Sequence, residues 1–456
     1  MSADETRNVD VVVIGMGPGG EEVAGRLAEA GVQVVGIEAN LVGGECPYWG
    51  CVPSKMMIRA ANLLAESRRV GELAGSSTTT PDWAPVARRI REQATDDWDD
   101  TVAAERFIDK GGILERGSGT ITGPHSVSVN GTTYVASRGI VIATGTCAAV
   151  PPITGLADTP YWTNHEIVET DELPASLIVL GGGAIGAELA QVMARFGVRV
   201  TVVEGLDRLV ANAEPEASTV VADVFGSEGI EVHTGQFAES VAYADGQFTL
   251  TLPDGTELHA ERLLVATGRQ TFLRELGVEA LGLDGDLRFL DADGRQRVTD
   301  GVWAIGDIAG RGMFTHLAVR QGAIAAADIL GEDVEPLNLQ ALPAVTFTDP
   351  EIGVVGRTEA DARDAGIDVV VVSKPLAESA RGWIHGVGND GLVKLVVDPG
   401  RNVLVGATSV GPTGGEVLGL LALAVHAEIP ISTLRSMVYA YPTFHRGIED
   451  ALNELR

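Results

Sequence analysis

The sequence predicts an α/β protein with two Rossmann-like nucleotide-binding domains and a C-terminal α+β unit. Three observations carry this. After a short polar tail, the apolar run VDVVVIG (residues 9–15) leads into a glycine-rich turn, the helical pattern EEVAGRLAEAG, and a second apolar run ending at Glu38. The same plan returns in LIVLGGGAIGAELAQVMARFGVRVTVVE, residues 177–204. From about residue 341 the strand patterns VTFT, VVVVSK, GLVKLVVD and NVLVGATSV dominate, with no glycine fingerprint.

Each apolar run is continuous rather than alternating, the mark of a parallel strand buried on both faces. In the first turn Gly15, Gly17 and Gly20 satisfy the G-x-G-x-x-G spacing. Gly15 allows the turn, Gly17 admits a pyrophosphate, and Gly20 permits close contact of helix and strand. Free N–H groups at the helix start then face the anion, and Glu38 is placed to accept from a ribose hydroxyl. Gly181, Gly183, Gly186 and Glu204 repeat the set, so two nucleotide-containing ligands are expected. A carboxylate at Glu204 accepts the two ribose hydroxyls and repels a 2′-phosphate. Arg199 and Arg208 form no substitute clamp, which favours NADH over NADPH.

Between the fingerprints, CVPSKMMIRAANLLAESRR begins a long helix near Pro53, and residues 85–110 read as another with the acidic patch DDWDD inside it. Residues 113–135 suggest an antiparallel ribbon, closed by the buried strand GIVIATG at 139–145. FTLTLPDG and ELHAERLLVATGR repeat that ribbon-plus-strand pattern up to Arg269. TDGVWAIGD (299–307) is a third glycine-terminated strand, a helix follows at 316–330, and EDVEPLNLQALP reads as a linker. Helices are expected at 414–427 and 443–455. The expected division is 1–150, 151–270, 271–340 and 341–456, the third segment returning to the first fold.

The 456 residues carry 33 basic and 63 acidic side chains, a net charge of −30. Such a field repels nucleic acid and anionic membranes, which reward Lys/Arg clusters. No run of 18 uncharged apolar residues occurs, and MSADETRN lacks the basic-then-apolar order of a signal peptide. A cytoplasmic location is therefore expected, without membrane partners. The 45 % apolar content suffices for several cores.

The three cysteines, Cys46, Cys51 and Cys147, make no secreted disulfide framework. Four residues separate Cys46 from Cys51, directly after the first ribose-binding strand. A metal pair would need further ligands, and no second Cys pair or compact Cys/His set supplies them; no metal site is expected. Redox activity of the pair is the reading, with a structural disulfide as the alternative. A thiolate at Cys51, beside a helix start, is stabilised by free N–H groups; Cys46 is the candidate for exchange with an external disulfide. Cys147 reads as an unreactive thiol. Lys55 lies one turn past Cys51 and is a candidate cation for a redox ring, with Glu188 as its candidate partner.

In the order and number of these elements the chain resembles the FAD-dependent pyridine nucleotide–disulfide oxidoreductases, the group of dihydrolipoyl dehydrogenase, glutathione reductase and mercuric reductase. The likeness rests on the first fingerprint, G43-G-x-C46-x4-C51-x-P-S-K55, GGGAIGAE, two ATG elements, TDGVWAIGD, and PAVTFTDPEIGVVGRTE, and covers nearly the whole chain. The resemblance implies FAD in the first fold, bordered by Gly15, Gly17, Gly20, Glu38, Gly44, Thr144, Gly145, Asp307 and His316, with Lys55 beside the ring and paired to Glu188. It implies NAD(H) in the second fold, at Gly181, Gly183, Gly186, Glu204 and Gly268. It also implies a Cys46–Cys51 redox disulfide with Cys51 nearest the flavin. The C-terminal domain would form the interface of a homodimer and complete the partner subunit's disulfide site.

One segment departs from the family pattern. Disulfide-reducing members carry His-Pro-Thr near the C-terminus with a glutamate five residues after the histidine. Here Tyr441 and Arg446 hold those two positions. A phenol with a reference pKa of about 10 is a poor base at neutral pH compared with imidazole. His445 and Glu449, four apart on a helix expected from Pro442, are a displaced candidate for base and orienter. The expected activity is an NADH oxidoreductase that delivers electrons to the disulfide, or directly to a quinone-like or other small acceptor. Reduction of a small-molecule disulfide, dihydrolipoyl dehydrogenase-like turnover, and a non-enzymatic FAD/NAD-binding subunit are the alternatives. Mercury reduction is disfavoured because no cysteine follows Cys147.

Overall fold

The computed structural model describes residues 5–455; the first half of the polar tail, Met1–Asp4, lies outside the described residues. The chain forms two compact units. One comprises the segment up to Pro53, Arg89–Ala148 and Arg269–Asn338; the other comprises Ser54–Arg88, Ala149–Gly268 and the segment from Leu339 onward.

The first unit is built on β1 (Glu5–Ile14), which pairs in parallel with β2 (Val34–Glu38) on one side and Thr132–Ile142 on the other. The sheet runs Arg297–Thr299, Val302–Ala304, Thr132–Ile142, β1, β2, Ile113–Arg116, with the ribbon Thr120–Gly123 and Ser126–Val129 attached to Thr132–Ile142. Both faces are covered, which is why the strands do not alternate: Val12 and Ile14 enter one core, Val11 and Val13 the other. Helix α1 (Pro18–Glu29) lies between β1 and β2 in sequence. The described half of the tail is more ordered than its polarity suggests. Glu5–Asn8 extend β1, pairing in register with Thr132–Val135.

The long helix expected over 85–110 is two pieces. Ala84–Arg89 passes into a π-helical turn, Ile90–Ala94, and a new helix starts at Thr101. Between them Asp96, Asp97 and Trp98 adopt positive φ. The acidic patch is not a solvated helix face, because Asp100 turns inward: it accepts from Val42 N at 2.6 Å and pairs with Arg116 at 2.6 and 2.8 Å.

The second unit holds most of helix α2 (Cys51–Leu73), whose first turn belongs to the first unit. Its parallel sheet runs Glu231–Thr234, β4 (Arg199–Glu204), β3 (Ser176–Leu180), Arg262–Val265, with helix α3 (Ala184–Arg195) joining β3 to β4. The ribbon Ser240–Ala244, Gln247–Thr251, Glu257–Ala260 is antiparallel. The C-terminal sheet is antiparallel, in the order Pro343–Thr346, Glu351–Gly356, Val403–Gly411, Leu392–Asp398, Val370–Pro375. Helices Gly414–His426 and Arg446–Glu454 contribute to its core. Glu351–Gly356 is a further strand, absent from the expected set; it holds two glycines yet is paired on both sides. Two Rossmann-like domains and a distinct C-terminal domain are therefore present.

Lys394 stands out in the apolar strand GLVKLVVD. It is 2 % exposed. Its Nζ lies 3.0 Å from Glu214, 2.8 Å from Glu216 and 3.1 Å from Glu359. Glu214, also 2 % exposed, accepts Glu359 N as well. Removing the cation strands a buried carboxylate. Lys394→Met is expected to cost about 3–5 kcal/mol, read as a lower urea midpoint.

Candidate active site

The first cradle follows from β1 ending against the backbone of 143–144. Gly15 has φ +93°, and a Cβ there would lie 2.4 Å from Ala143 O; a Cβ on Gly20 would lie 2.0 Å from Gly15 O. The turn and the helix approach therefore both require glycine. Gly17 N-caps α1 without a side-chain cap. A Cβ there would meet nothing closer than Gly44 Cα at 3.9 Å. Space thus stands open before a helix N-terminus, as a pyrophosphate requires. Glu38 is buried, and its oxygens accept from Met16 N at 2.7 Å and Asn40 N at 2.8 Å. Each oxygen keeps a lone pair for a ribose hydroxyl. Burial pushes this carboxyl up, opposed by the two N–H groups.

The second cradle repeats these contacts. Gly181 has φ +107°, a Cβ on Gly186 would lie 1.9 Å from Gly181 O, and Gly183 has open space before it. Glu204 accepts from Gly182 N at 2.5 Å and Leu206 N at 2.7 Å. Arg208 donates to the carbonyls of Ala211 and Ala213, at 2.7 and 3.4 Å, and pairs with Asp207. Beside Glu204, Phe237 is 69 % exposed and its ring lies where a Cβ on Gly205 would be, 2.4 Å from Cε1. Phe237 escaped the sequence reading because it lies 33 residues beyond Glu204. Both cradles fit dinucleotides.

Asp307 accepts from Thr146 Oγ1 at 2.8 Å, and Arg269 donates to Thr146 Oγ1 and O at 2.7 and 2.6 Å. Burial pushes the Asp307 carboxyl up. Arg269 also stands 3.6 Å from Glu45, the neighbour of Cys46, and 3.8 Å from Asp307. His316 stacks on Phe314, with ring centroids 5.2 Å apart. Gly44, Gly145 and Gly268 all hold positive φ, and Thr144 flanks the Gly15 turn.

Cys46 is half-buried in the short helix Glu45–Tyr48, and Cys51 is the first residue of α2, two residues before the expected helix start. The two are thiols in this structure, joined through a hydrogen bond. Cys51 Sγ lies 3.4 Å from Thr315 Oγ1, at the start of helix Thr315–Leu330. The hydrogen bond to Cys51 pushes the Cys46 thiol well above its ordinary range, and burial adds to this. Thr315 has no sequence signal, being 264 residues from Cys51.

Within the second unit Lys55 Nζ lies 2.7 Å from Glu188 Oε2 and 4.6 Å above the centre of the Phe347 ring. The other oxygen of Glu188 accepts from Phe347 N at 2.8 Å. Tyr441 is 68 % exposed, and the Arg446 guanidinium lies 5.4 Å from its ring centre. Arg446 also pairs with Glu449 at 2.8 Å. The helix begins at Arg446 rather than near Pro442, because residues 443–448 close i→i+3 turns first. His445 is only its N-cap, and the structure gives Glu449 to Arg446. Tyr441, Arg446 and Glu449 are thus brought together; His445 does not join them.

Residues 9–322 match the family described as pyridine nucleotide-disulphide oxidoreductase, and residues 342–452 match its dimerisation domain. A mercuric reductase of Shigella flexneri is 35 % identical over 96 % of this chain and 79 % of its own length. A dihydrolipoyl dehydrogenase of Haloferax volcanii is 32 % identical over 98 % of this chain and 96 % of its own. The HOCl-induced flavoprotein disulfide reductase RclA of Escherichia coli superposes with a TM-score of 0.86 at 26 % identity, covering 98 % of this chain and all of that one. The dimerisation domain supports a homodimer, and among the described residues no helix is long and apolar enough to cross a membrane. With two cradles, a cysteine pair and a dimerisation domain in family order, the chain belongs to the pyridine nucleotide–disulphide oxidoreductases and is an FAD- and NAD(H)-dependent oxidoreductase.

Proposed function

We propose that this chain is a cytoplasmic, NADH-preferring reductase whose acceptor is a small quinone-like molecule needing no thiol base from the C-terminal domain. One observation carries the reading. Where disulfide-reducing members hold an imidazole and a carboxylate, a guanidinium is stacked on the Tyr441 ring and paired with Glu449. That assembly offers a flat, polarisable surface and no imidazole, and its one carboxylate is already paired with a guanidinium.

When bound, FAD supplies a ring that accepts hydride from NADH and passes electrons on singly or in pairs. The chain's own residues do the rest. The α1 N-terminus and Gly17 receive the FAD pyrophosphate, Glu38 the adenosine ribose, and Asp307 the ribityl region. The α3 N-terminus and Gly183 receive the NADH pyrophosphate, and Glu204 its ribose. On the family resemblance Lys55, its charge held by Glu188, would favour negative charge on the flavin ring. Cys46, pushed up by its hydrogen bond with Cys51 and by burial, keeps its proton, which leaves negative charge on the pair to Cys51 at a helix N-terminus.

The hydrogen-bonded thiol pair favours a second reading, reduction of a thiophilic metal ion. The Shigella relative is named a mercuric reductase, and RclA has been solved as a Cu(II) complex. A soft cation needs thiolates rather than a base; its binding would displace the Cys46 proton, and Cys46 and Cys51 would then supply two sulfurs.

Four outcomes are expected. NADH should exceed NADPH in kcat/KM by about tenfold or more, measured as flavin bleaching under anaerobic turnover; an NADPH preference removes the Glu204 reading. In a Cys147→Ser background, thiolate absorbance of the reduced protein should rise in one step well before a second, and Cys51→Ser should bring the Cys46 ionisation down. Coincident steps in the parent contradict the proton assignment. With quinone as acceptor, Cys46→Ser should retain turnover, whereas loss of turnover with intact quinone binding rules out direct delivery. Tyr441→His with Arg446→Glu should raise disulfide turnover relative to the parent.

A further inference from the structure

Helix α3 carries Glu188, Gln191 and Arg195 at spacings of three and four, one face of the helix, and all three are buried. Helix α2 carries Lys55, Asn62 and Arg69 at intervals of seven, close to two turns each, so they too form one stripe. The turn Phe347–Asp349 is bonded to both stripes. Gln191 Nε2 donates to Asp349 O and its Oε1 accepts from Asp349 N, both at 2.8 Å. Asp349 Oδ2 accepts from Arg195 at 2.8 Å and from Arg69 at 2.9 Å. Arg195, 1 % exposed, is bound in turn by Glu228 and by Asn62 Oδ1 at 2.6 Å.

Two residues before Asp349, Phe347 supplies the N–H on Glu188 and the ring under Lys55. We infer that Asp349 is a positioning residue for Lys55: pinned by Gln191, Arg195 and Arg69, it fixes the Phe347 backbone and ring that orient the Glu188–Lys55 pair. Two peptide steps reach at most about 7 Å, so a shift at Asp349 passes directly to Phe347. Glu188 then loses a donor and Lys55 loses the ring beneath it. No proton or electron passes through Asp349; its effect is geometric. The inference rests on the reading of Lys55 as the cation that favours negative charge on the flavin.

The test is a double-mutant cycle on the FAD-loaded protein, read first by the flavin midpoint potential against a reference dye and second by the rate of flavin bleaching with NADH. A cation held at the ring raises that potential, so Asp349→Asn should lower it and slow bleaching by about tenfold. In a Lys55→Met background the same substitution should change the rate by less than about twofold and leave the potential where Lys55→Met alone puts it. Gln191→Met, which adds no uncompensated charge, should behave likewise and serves if Asp349→Asn does not fold. Equal losses in both backgrounds, or no change in potential with Lys55 present, overturn the inference. A Lys55→Met protein with unaltered potential overturns the reading of Lys55 itself, and the inference falls with it.

Discussion

The carboxylate of Glu188 is the constraint on which the second unit turns. It is buried, and its two oxygens have different obligations, one to the Lys55 ammonium at 2.7 Å and one to Phe347 N at 2.8 Å. A buried carboxylate that loses a partner costs several kcal/mol, so segments near residues 55, 188 and 347 are bound to one another through a single group. The same helix begins at Gly183, before which space stands open for a phosphate. One rigid element thus presents a phosphate site at its first turn and anchors the lysine charge on its second.

The two cradles use one solution twice. In each, a carboxylate closing the second strand accepts the N–H of the residue after the first glycine and the N–H two residues beyond itself. The carboxylate is therefore oriented before any ribose arrives, which lowers the ordering cost of binding. They differ in access. Glu38 is buried, whereas Glu204 is half-exposed beside the open Phe237 ring. A buried cradle suits a resident cofactor, and an open one suits a nucleotide that enters and leaves with each turnover.

What was legible in the sequence was what neighbours in the chain decide. The fingerprints, their flanking strands and the Cys46–Lys55 run depend on local spacing, and the Rossmann-like units follow from them. What the sequence concealed depends on distant partners. The helix expected over 85–110 breaks because Asp100 is claimed by Val42 and Arg116. The strand Glu351–Gly356 exists because two other strands pair with it, against its own glycine content. Thr315 beside Cys51, the Phe347 ring under Lys55, and the grip on Asp349 each join residues more than 150 apart. No periodicity encodes such meetings.

The acidic composition takes its meaning from these same contacts. Many cations are spent inside: Arg116 on Asp100, Arg195 and Arg69 on Asp349, Lys394 on three glutamates. These groups set four cations against five carboxylates, so almost all of the net charge of −30 is carried elsewhere in the chain. The two dinucleotides are nevertheless anions. Helix N-termini and aimed N–H groups act within a few ångströms, whereas surface charges beyond about 10 Å are largely screened at 0.1 M salt, so the local dipoles prevail at the cradles. No such device is evident at the exposed Tyr441, where the Arg446 charge is already taken by Glu449. An anionic disulfide approaching that surface is repelled by whatever part of the acidic field salt leaves unscreened, while a neutral ring or a metal cation is not. Electrostatics and the missing base therefore favour the same kinds of acceptor, for independent reasons.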